Sequence, residues 1–246
     1  MRKIIALLLL SLFLKGHAQT KGIFSKDPIV NLENFQKQRL YFGFYLGFNS
    51  YDFKVDYNKF DAKPKNISQD IEIKKSTGFN VGLVADLKLQ EYINLRFEPG
   101  LYVTKRDLSY PTSYFLTEPT SSQKTREVNS TNIHLPLLLK FSSLRTGNVR
   151  PYLLGGVSAT LNLSSNSKSI DDNSGNRFRV KPWTTNYELG FGIDVFSEYF
   201  IFSPSIRGVF GINDELIPDK DFNNSPWTSK IESLKNRAVF INFTFH

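Results

Sequence analysis

The 246-residue chain has no cysteine, and its one methionine is Met1. Disulfides, thiolate metal sites, Fe–S clusters and a cysteine nucleophile are therefore excluded. Histidine is almost as scarce, with His17, His134 and His246 the whole complement. No two of them stand at metal-ligand spacing. Beyond the N-terminal segment a Ser–His–acid triad would have to use His134, and no nucleophile motif accompanies it. No glycine-rich phosphate loop leads into a helix. Charge of one sign is thin as well. Of the formal +8, Arg2, Lys3 and Lys15 fall in the first eighteen residues, which hold no acid, leaving +5 on the remainder. That is far from the dense basic stripe of a nucleic-acid-binding protein. These absences predict a protein without catalytic residues, cofactor, metal or nucleic-acid partner.

What the chain does have is apolar and aromatic: 40% hydrophobic residues and 22 phenylalanines, too much for a disordered polymer. Long apolar runs are nevertheless missing. The run Ile4–Leu14 is broken only by Ser11, follows Arg2-Lys3 and precedes Gly16-His17-Ala18. A basic start, a short apolar stretch and small residues at −3 and −1 predict a signal peptide over 1–18, with Gln19 the first mature residue. The run is too short for a membrane helix, which needs about 20 apolar residues. Without such a helix, the exported chain is either a soluble protein or a membrane protein of the closed β-barrel kind.

Period-two alternation predicts eight strands, near 40–52, 79–88, 95–104, 132–141, 152–161, 187–195, 202–210 and 239–246. In the first, Leu40, Phe42, Phe44, Leu46 and Phe48 form one row and Tyr41, Gly43, Tyr45, Gly47 and Asn49 the other. The last sets Val239, Ile241, Phe243 and Phe245 against Phe240, Asn242, Thr244 and His246. A soluble lipocalin-like barrel buries its apolar rows, whereas a membrane barrel turns them outward. Three features favour the outward orientation. The polar rows are rich in Gly and Tyr and mix both charge signs, which suits a narrow lumen filled by its own side chains. The connections alternate between long polar ones (53–71, 106–129, 164–182, 212–235) and short ones (88–92, 143–149, 197–200), as in outer-membrane barrels. The chain closes on Phe243-Thr244-Phe245-His246, a strand with alternating aromatics.

The expected fold is an all-β, eight-stranded antiparallel up-and-down transmembrane β-barrel over 40–246. It is preceded by the signal peptide and a periplasmic N-terminal arm over 19–39. Each apolar row supplies about five residues and so about ten positions per strand, matching the ~9–11 residues of a tilted membrane strand. Pro99, Pro136 and Pro204 interrupt strand interiors and are expected at bulges or rims. Tyr92, Tyr199, Phe200 and Trp183 are candidates for interfacial girdles. The inward rows carry Arg96, Glu98, His134, Lys140, Glu188, Asp194 and Arg207. Eight strands enclose little beyond their own side chains, and buried charges persist only when paired. These seven residues are therefore expected to form a structural ion-paired plug rather than a catalytic or transport site. The loops Lys54–Lys75 and Lys220–Lys235 read as solvated, or as surfaces for partners or lipopolysaccharide phosphates. In the arm, Ile29, Leu32 and Phe35 suggest a docking segment.

A series of stretches carries a family resemblance. Asp27-Pro28-Ile29-Val30-Asn31-Leu32 leads to Tyr41-Phe42-Gly43-Phe44-Tyr45-Leu46-Gly47, then Phe97-Glu98-Pro99-Gly100-Leu101 and His134-Leu135-Pro136-Leu137. Pro151-Tyr152-Leu153-Leu154-Gly155-Gly156, Tyr187-Glu188-Leu189-Gly190-Phe191-Gly192 and Ser205-Ile206-Arg207-Gly208 follow. The series resembles the PorT-like outer-membrane β-barrels of Bacteroidetes and covers nearly all of the mature chain. The resemblance implies a part in type IX protein secretion, which exports proteases, adhesins and gliding-motility proteins. A barrel this narrow would serve there as an accessory or scaffold, touching outer-membrane lipid and, through its arm and loops, other secretion proteins. An OmpA-like stability or adhesion barrel unrelated to secretion is the alternative.

Overall fold

Strands form here because apolar and small or polar side chains alternate, so each strand offers one greasy and one polar face. The computed structural model describes residues 30–57, 70–221 and 225–246. The expected signal peptide and the arm up to residue 29 lie outside the described residues. Ten strand segments are present: β1 (Leu40–Tyr57), β2 (Glu72–Lys75), β3 (Thr77–Lys88), β4 (Ile93–Phe97), β5 (Gly100–Ser109), β6 (Thr125–Ser142), β7 (Val149–Asn162), β8 (Trp183–Phe196), β9 (Ile201–Gly211) and β10 (Ile231–Phe245). All neighbours are antiparallel, and β1 pairs with both β10 and β3, so the sheet closes on itself. Both β2 and β3 pair with β5, and both β4 and β5 pair with β6. Each of these pairs is thus one wall strand interrupted, at Ser76 and at Glu98-Pro99. The ten segments make eight staves.

The stagger follows from the register. Starting at Ser50, the hydrogen-bonded partners run through Val239, Gly208, Leu189, Gly155, Leu139, Leu95 and Leu87. They return to β1 at Leu40, ten residues below the start. Ten residues of strand, about 33 Å, over eight inter-strand spacings of about 4.8 Å give a tilt of about 40°. At that tilt the row Leu40–Phe48 rises about 20 Å along the axis, close to the height of an apolar membrane band once side chains are added.

The apolar rows point outward. Phe42 is 68% exposed, Leu83 65% and Leu153 62%, whereas Tyr45, Tyr102 and Leu138 on the alternate rows are fully buried. The prolines occupy neither rims nor bulges. Pro99 and Pro136 lie in one gap of the ladder, opposite Leu135 and Glu98, and the pairs Phe97↔Leu137 and Gly100↔His134 keep the register on either side. Glu98 N still donates to the Pro136 carbonyl at 3.4 Å, and Leu83 N donates to the Pro99 carbonyl at 3.0 Å, so one missing N–H falls on the β6 side of the β4–β5 stave and the other on the β3 side. Pro204 lies in a similar gap between β8 and β9, flanked by Gly192↔Ser205 and Val195↔Phe202.

Several staves run further than the alternation predicts. β1 continues to Tyr57, β5 to Ser109, and β6 and β10 begin at Thr125 and Ile231, inside the expected loops. The reason is an inversion of the pattern. Above Asn49 the outward row of β1 becomes Ser50, Asp52, Lys54 and Asp56, while Tyr51 and Phe53 point inward and are buried. On β5 the outward row turns to Lys105 and Asp107 and the inward row to Leu108. At this end Phe53, Ile71, Leu108, Tyr110, Val128, Phe178, Val180, Leu216, Ile231 and Leu234 form an apolar core inside the barrel. A bulge on β10, where Asp56↔Ser233 is followed by Tyr57↔Ile231, turns Ile231 inward to join it. One wall therefore follows membrane-barrel logic at the short-turn end and soluble-barrel logic at the long-loop end.

Candidate functional site: the lumen charge network

Strand parity decides which charges enter the lumen. On β4 and β5 even-numbered residues point inward, as they do on β6 and β8, and on β9 odd-numbered ones do. Arg96, Glu98, His134, Lys140, Glu188, Asp194 and Arg207 are all buried. The structure brings five charged groups of alternating sign and an imidazole into one chain. Asp86 holds Arg96 at 2.6 Å, and Arg96 reaches Glu98 at 3.2 Å. Glu98 takes Arg207 at 2.8 Å, and Arg207 Nε stands 3.0 Å from Glu188. That last approach is an ion contact without hydrogen-bond alignment. Glu188 accepts from His134 Nε2 at 2.7 Å. Lys140 and Asp194 form a separate triad with Arg150, each cation 2.8 Å from the carboxylate, which Ser203 also contacts at 2.7 Å. Four carboxylates thus face four permanent cations in these contacts, which is the condition for holding charge away from water.

Two of these partners were absent from the expected charge set. Asp86 stands in the inward row of β3 with Asn80 and Gly82, so its alternation was sufficient to place it. Arg150 precedes the expected start of its strand at residue 152, and the turn end of β7 carries it inward. The large inward aromatics need space in return. A Cβ on Gly100 would lie 1.9 Å from the Tyr45 hydroxyl, and one on Gly82 would lie 2.5 Å from it. Tyr45 fills the room these glycines leave and donates to the Glu98 carbonyl at 3.3 Å.

The His134 ring lies between Thr160 Oγ1, 2.8 Å from Nδ1, and Glu188. The hydroxyl at this imidazole is that of Thr160, and it also accepts from Asn186 at 3.0 Å. Tyr102 and Phe240 pack edge-on against the same ring, at 5.0 and 5.5 Å between centroids. A hydroxyl, an imidazole and a carboxylate are thus aligned, but all three are buried among side chains. Among the described residues no group of three or more His, Asp or Glu side chains is arranged to hold a metal ion.

The sequence matches the model of the outer membrane protein beta-barrel domain over residues 18–216. The chain belongs to that family. Its fold is similar to solved outer-membrane proteins at low identity. OprG from Pseudomonas aeruginosa is 15% identical, with a TM-score of 0.45, over 83% of this chain and 95% of that one. The Neisserial surface protein A is 11% identical, with a TM-score of 0.38, over 82% of this chain and 95% of that one. Ail of Yersinia pestis is 12% identical, with a TM-score of 0.36, over 83% and 96%. No curated protein matches the sequence at a significant level.

In an outer-membrane barrel the outward apolar rows face lipid and the long loops lie outside the cell. Trp183 stands at the extracellular edge of this barrel, and Tyr92, Tyr199 and Phe200 lie in its periplasmic turns, all four exposed. Of the expected loop Lys54–Lys75, residues 58–69 lie outside the described residues, and the described parts of the other extracellular loops do not simply extend into solvent. Trp227 is folded in: its Nε1 donates to the Gln123 carbonyl at 2.9 Å, Phe115 packs edge-on against its ring, and Arg126 lies 4.6 Å above it. Asp219 ties two loops together by accepting from Asn173 at 2.9 Å and Ser225 at 2.6 Å. Beneath this canopy Arg106 is buried with Asn236 and Ser130 as hydrogen-bond partners and its guanidinium 3.8 Å over the Phe53 ring. Glu215, in the canopy itself, is buried, and burial pushes its carboxyl up to about 7 against the opposing pull of Arg106.

The periplasmic mouth is also covered. Arg145 in the β6–β7 turn donates to the Asn31 carbonyl at 2.6 Å, and Asn31 donates to Asn148 at 3.0 Å and to the Phe196 carbonyl at 3.2 Å. Leu32 adopts a left-handed backbone (φ 53°) before the short 3-10 turn Glu33–Lys37, and Phe35 packs on Tyr41 at 4.9 Å. β7 lies opposite β1 in the ring of staves. The segment from Asn31 to Leu40 is therefore a strap across the mouth. The described part of the expected docking arm docks on its own barrel.

Proposed function

We propose that this barrel is a non-enzymatic accessory or scaffold of type IX protein secretion, a PorT-like barrel from a Bacteroidetes outer membrane. The observation that carries the reading is the filled interior. A charge-balanced lumen, an apolar core above it and a strap below leave contact with other molecules as the means of action. The same burial argues against catalysis at Thr160–His134–Glu188, because a substrate bond cannot reach groups enclosed by Tyr102 and Phe240. The motif series shared with PorT-like barrels directs the contact reading towards secretion. Partners would meet the canopy outside the cell and the chain ahead of Val30 inside. Deleting the gene tests the reading: loss of extracellular protease activity or of gliding is expected while other outer-membrane barrels remain inserted. Unchanged export in the deletion strain would overturn the secretion assignment and leave a stability or adhesion barrel. Planar-bilayer recordings test the filled lumen separately, and a large unitary conductance would refute it.

A further inference from the structure

A carboxyl is buried where two canopy loops are tied to the barrel. Glu215, on the β9–β10 loop, donates its N–H to the Leu234 carbonyl of β10 at 2.8 Å. Its own carbonyl accepts from Lys181 N of the β7–β8 loop, also at 2.8 Å. Val180 and Leu216 pair across the same two loops, and both side chains join the apolar core beneath. The Glu215 side chain is buried with them, and among the described residues no hydrogen bond reaches its Oε1.

The charged groups around Glu215 leave it unsatisfied. Arg106 comes from β5, held by Asn236 and Ser130 and laid over the Phe53 ring, with its Nε also lacking a hydrogen bond. Among the described residues neither Arg106 nor Glu215 has an ion-pair partner. β10 buries Leu234 and Asn236 here, while Lys235 stands on its alternate face. Lys181 reaches the Asp214 carboxylate instead, at 3.4 Å. Asp214, beside Glu215 in the chain, accepts from Leu216 N at 3.1 Å and Leu234 N at 2.8 Å, and adds charge of the same sign. A carboxylate enclosed in this way lacks the donors it would find in water. Both sides of the gap to Arg106 are pinned, Glu215 by its backbone bonds and Arg106 by Asn236 and Ser130. Closing it would break bonds already made, and a desolvated ion pair returns little in exchange. Undoing the knot instead gives the carboxylate water.

We propose that Glu215 makes the canopy a pH-dependent lid on the extracellular mouth, held closed while the carboxyl keeps its proton and released at this knot when the proton leaves. Release uncovers Arg106 and the apolar core around Phe53 and Leu108. Opening returns the carboxyl to its ordinary 4.5 in water from about 7 in the closed canopy, where burial and Asp214 raise it against the pull of Arg106. The open state is therefore favoured as pH rises from about 4.5, and the gain levels off above about 7.

Amide hydrogen exchange of the full barrel in micelles, read by mass spectrometry from pH 5 to pH 8, tests the lid. Each wild-type rate is divided by that of the Glu215→Gln variant at the same pH, which cancels the intrinsic pH dependence of exchange. For the amides of Val180, Lys181 and Glu215 the ratio should rise about 70-fold over that range, while residues 189–193 in the β8 wall keep a constant ratio. The chain has no cysteine, so Leu108→Cys supplies a second readout from a fully buried position under the canopy. Its labelling by a charged maleimide should show the same rise between the Glu215 and Gln backgrounds. Gel mobility confirms that each variant is folded. A flat ratio at the knot would overturn the proposal. So would protection that grows with pH, which would mean that Glu215 closes onto Arg106, or an equal rise in β8, which would mean unfolding of the whole barrel.

Discussion

Replacing Arg207 by Met tests the lumen network at the point where it is most connected. Arg207 contacts Glu98 at 2.8 Å and Glu188 at 3.0 Å, and all three residues are buried. Without it, four lumen carboxylates face three permanent cations. Removing one partner of a buried pair costs about 3–5 kcal/mol, because the remaining charge is left uncompensated. Glu98 keeps Arg96 and Glu188 keeps His134, so about 3 kcal/mol is expected. With a urea slope of about 2 kcal/mol per molar, the unfolding midpoint should fall by about 1.5 M. Adding Glu188→Gln restores neutrality, and the double variant should exceed the additive expectation by about 1.5 kcal/mol. Refolding equilibria in micelles, read by gel mobility and by the fluorescence of Trp183 and Trp227, give these values. An Arg207→Met variant as stable as the wild type would refute the reasoning. So would single effects that add to within about 0.5 kcal/mol, because the charges would then not be coupled.

Further expectations concern the wall, the canopy and the strap. Leu83→Arg places a cation on the lipid face near the middle of the belt and should cost about 2–4 kcal/mol of folding free energy in bilayers; an unchanged value would mean that this row does not meet lipid. Glu215 is an acid whose folded value, about 7, lies above its ordinary 4.5. The folded state thus disfavours the carboxylate, and stability should fall as pH rises from about 4.5 to about 7, by about 3 kcal/mol from this group. Glu215→Gln should remove that part of the pH dependence, and identical slopes for variant and wild type would contradict the buried carboxyl. Arg145→Ala removes the turn's bond to the strap at the Asn31 carbonyl, together with the bond by which Arg145 holds Asn148. Limited proteolysis should then cut between Val30 and Leu40 while the barrel stays folded, and full resistance to cleavage would show that the strap is held by other contacts.

The periodicity of each strand is a local property, and what depended on it alone was readable before any fold was known. Phe42 and Tyr45 differ in parity, and parity with composition was sufficient to send one to lipid and the other to the lumen. The lumen set from Arg96 to Arg207 follows from the same alternation. The inversion at Tyr51 and Phe53 was equally present in the sequence. It was hidden because polar outward residues such as Asp52 and Lys54 make a wall strand look like a loop.

Pairing was a different matter. Glu98 and Arg207 are 109 residues apart and Arg145 and Asn31 are 114 apart. No spacing rule connects them. Their meeting depends on the ten-residue stagger around eight staves, which sets the height at which each inward side chain arrives. Asp52 likewise meets Arg237 and Lys75 only once the ring is closed. The amino-acid order thus determined which side of the wall each residue occupies. Ring closure, with one hydrogen-bond register running through every strand, decided which residues meet.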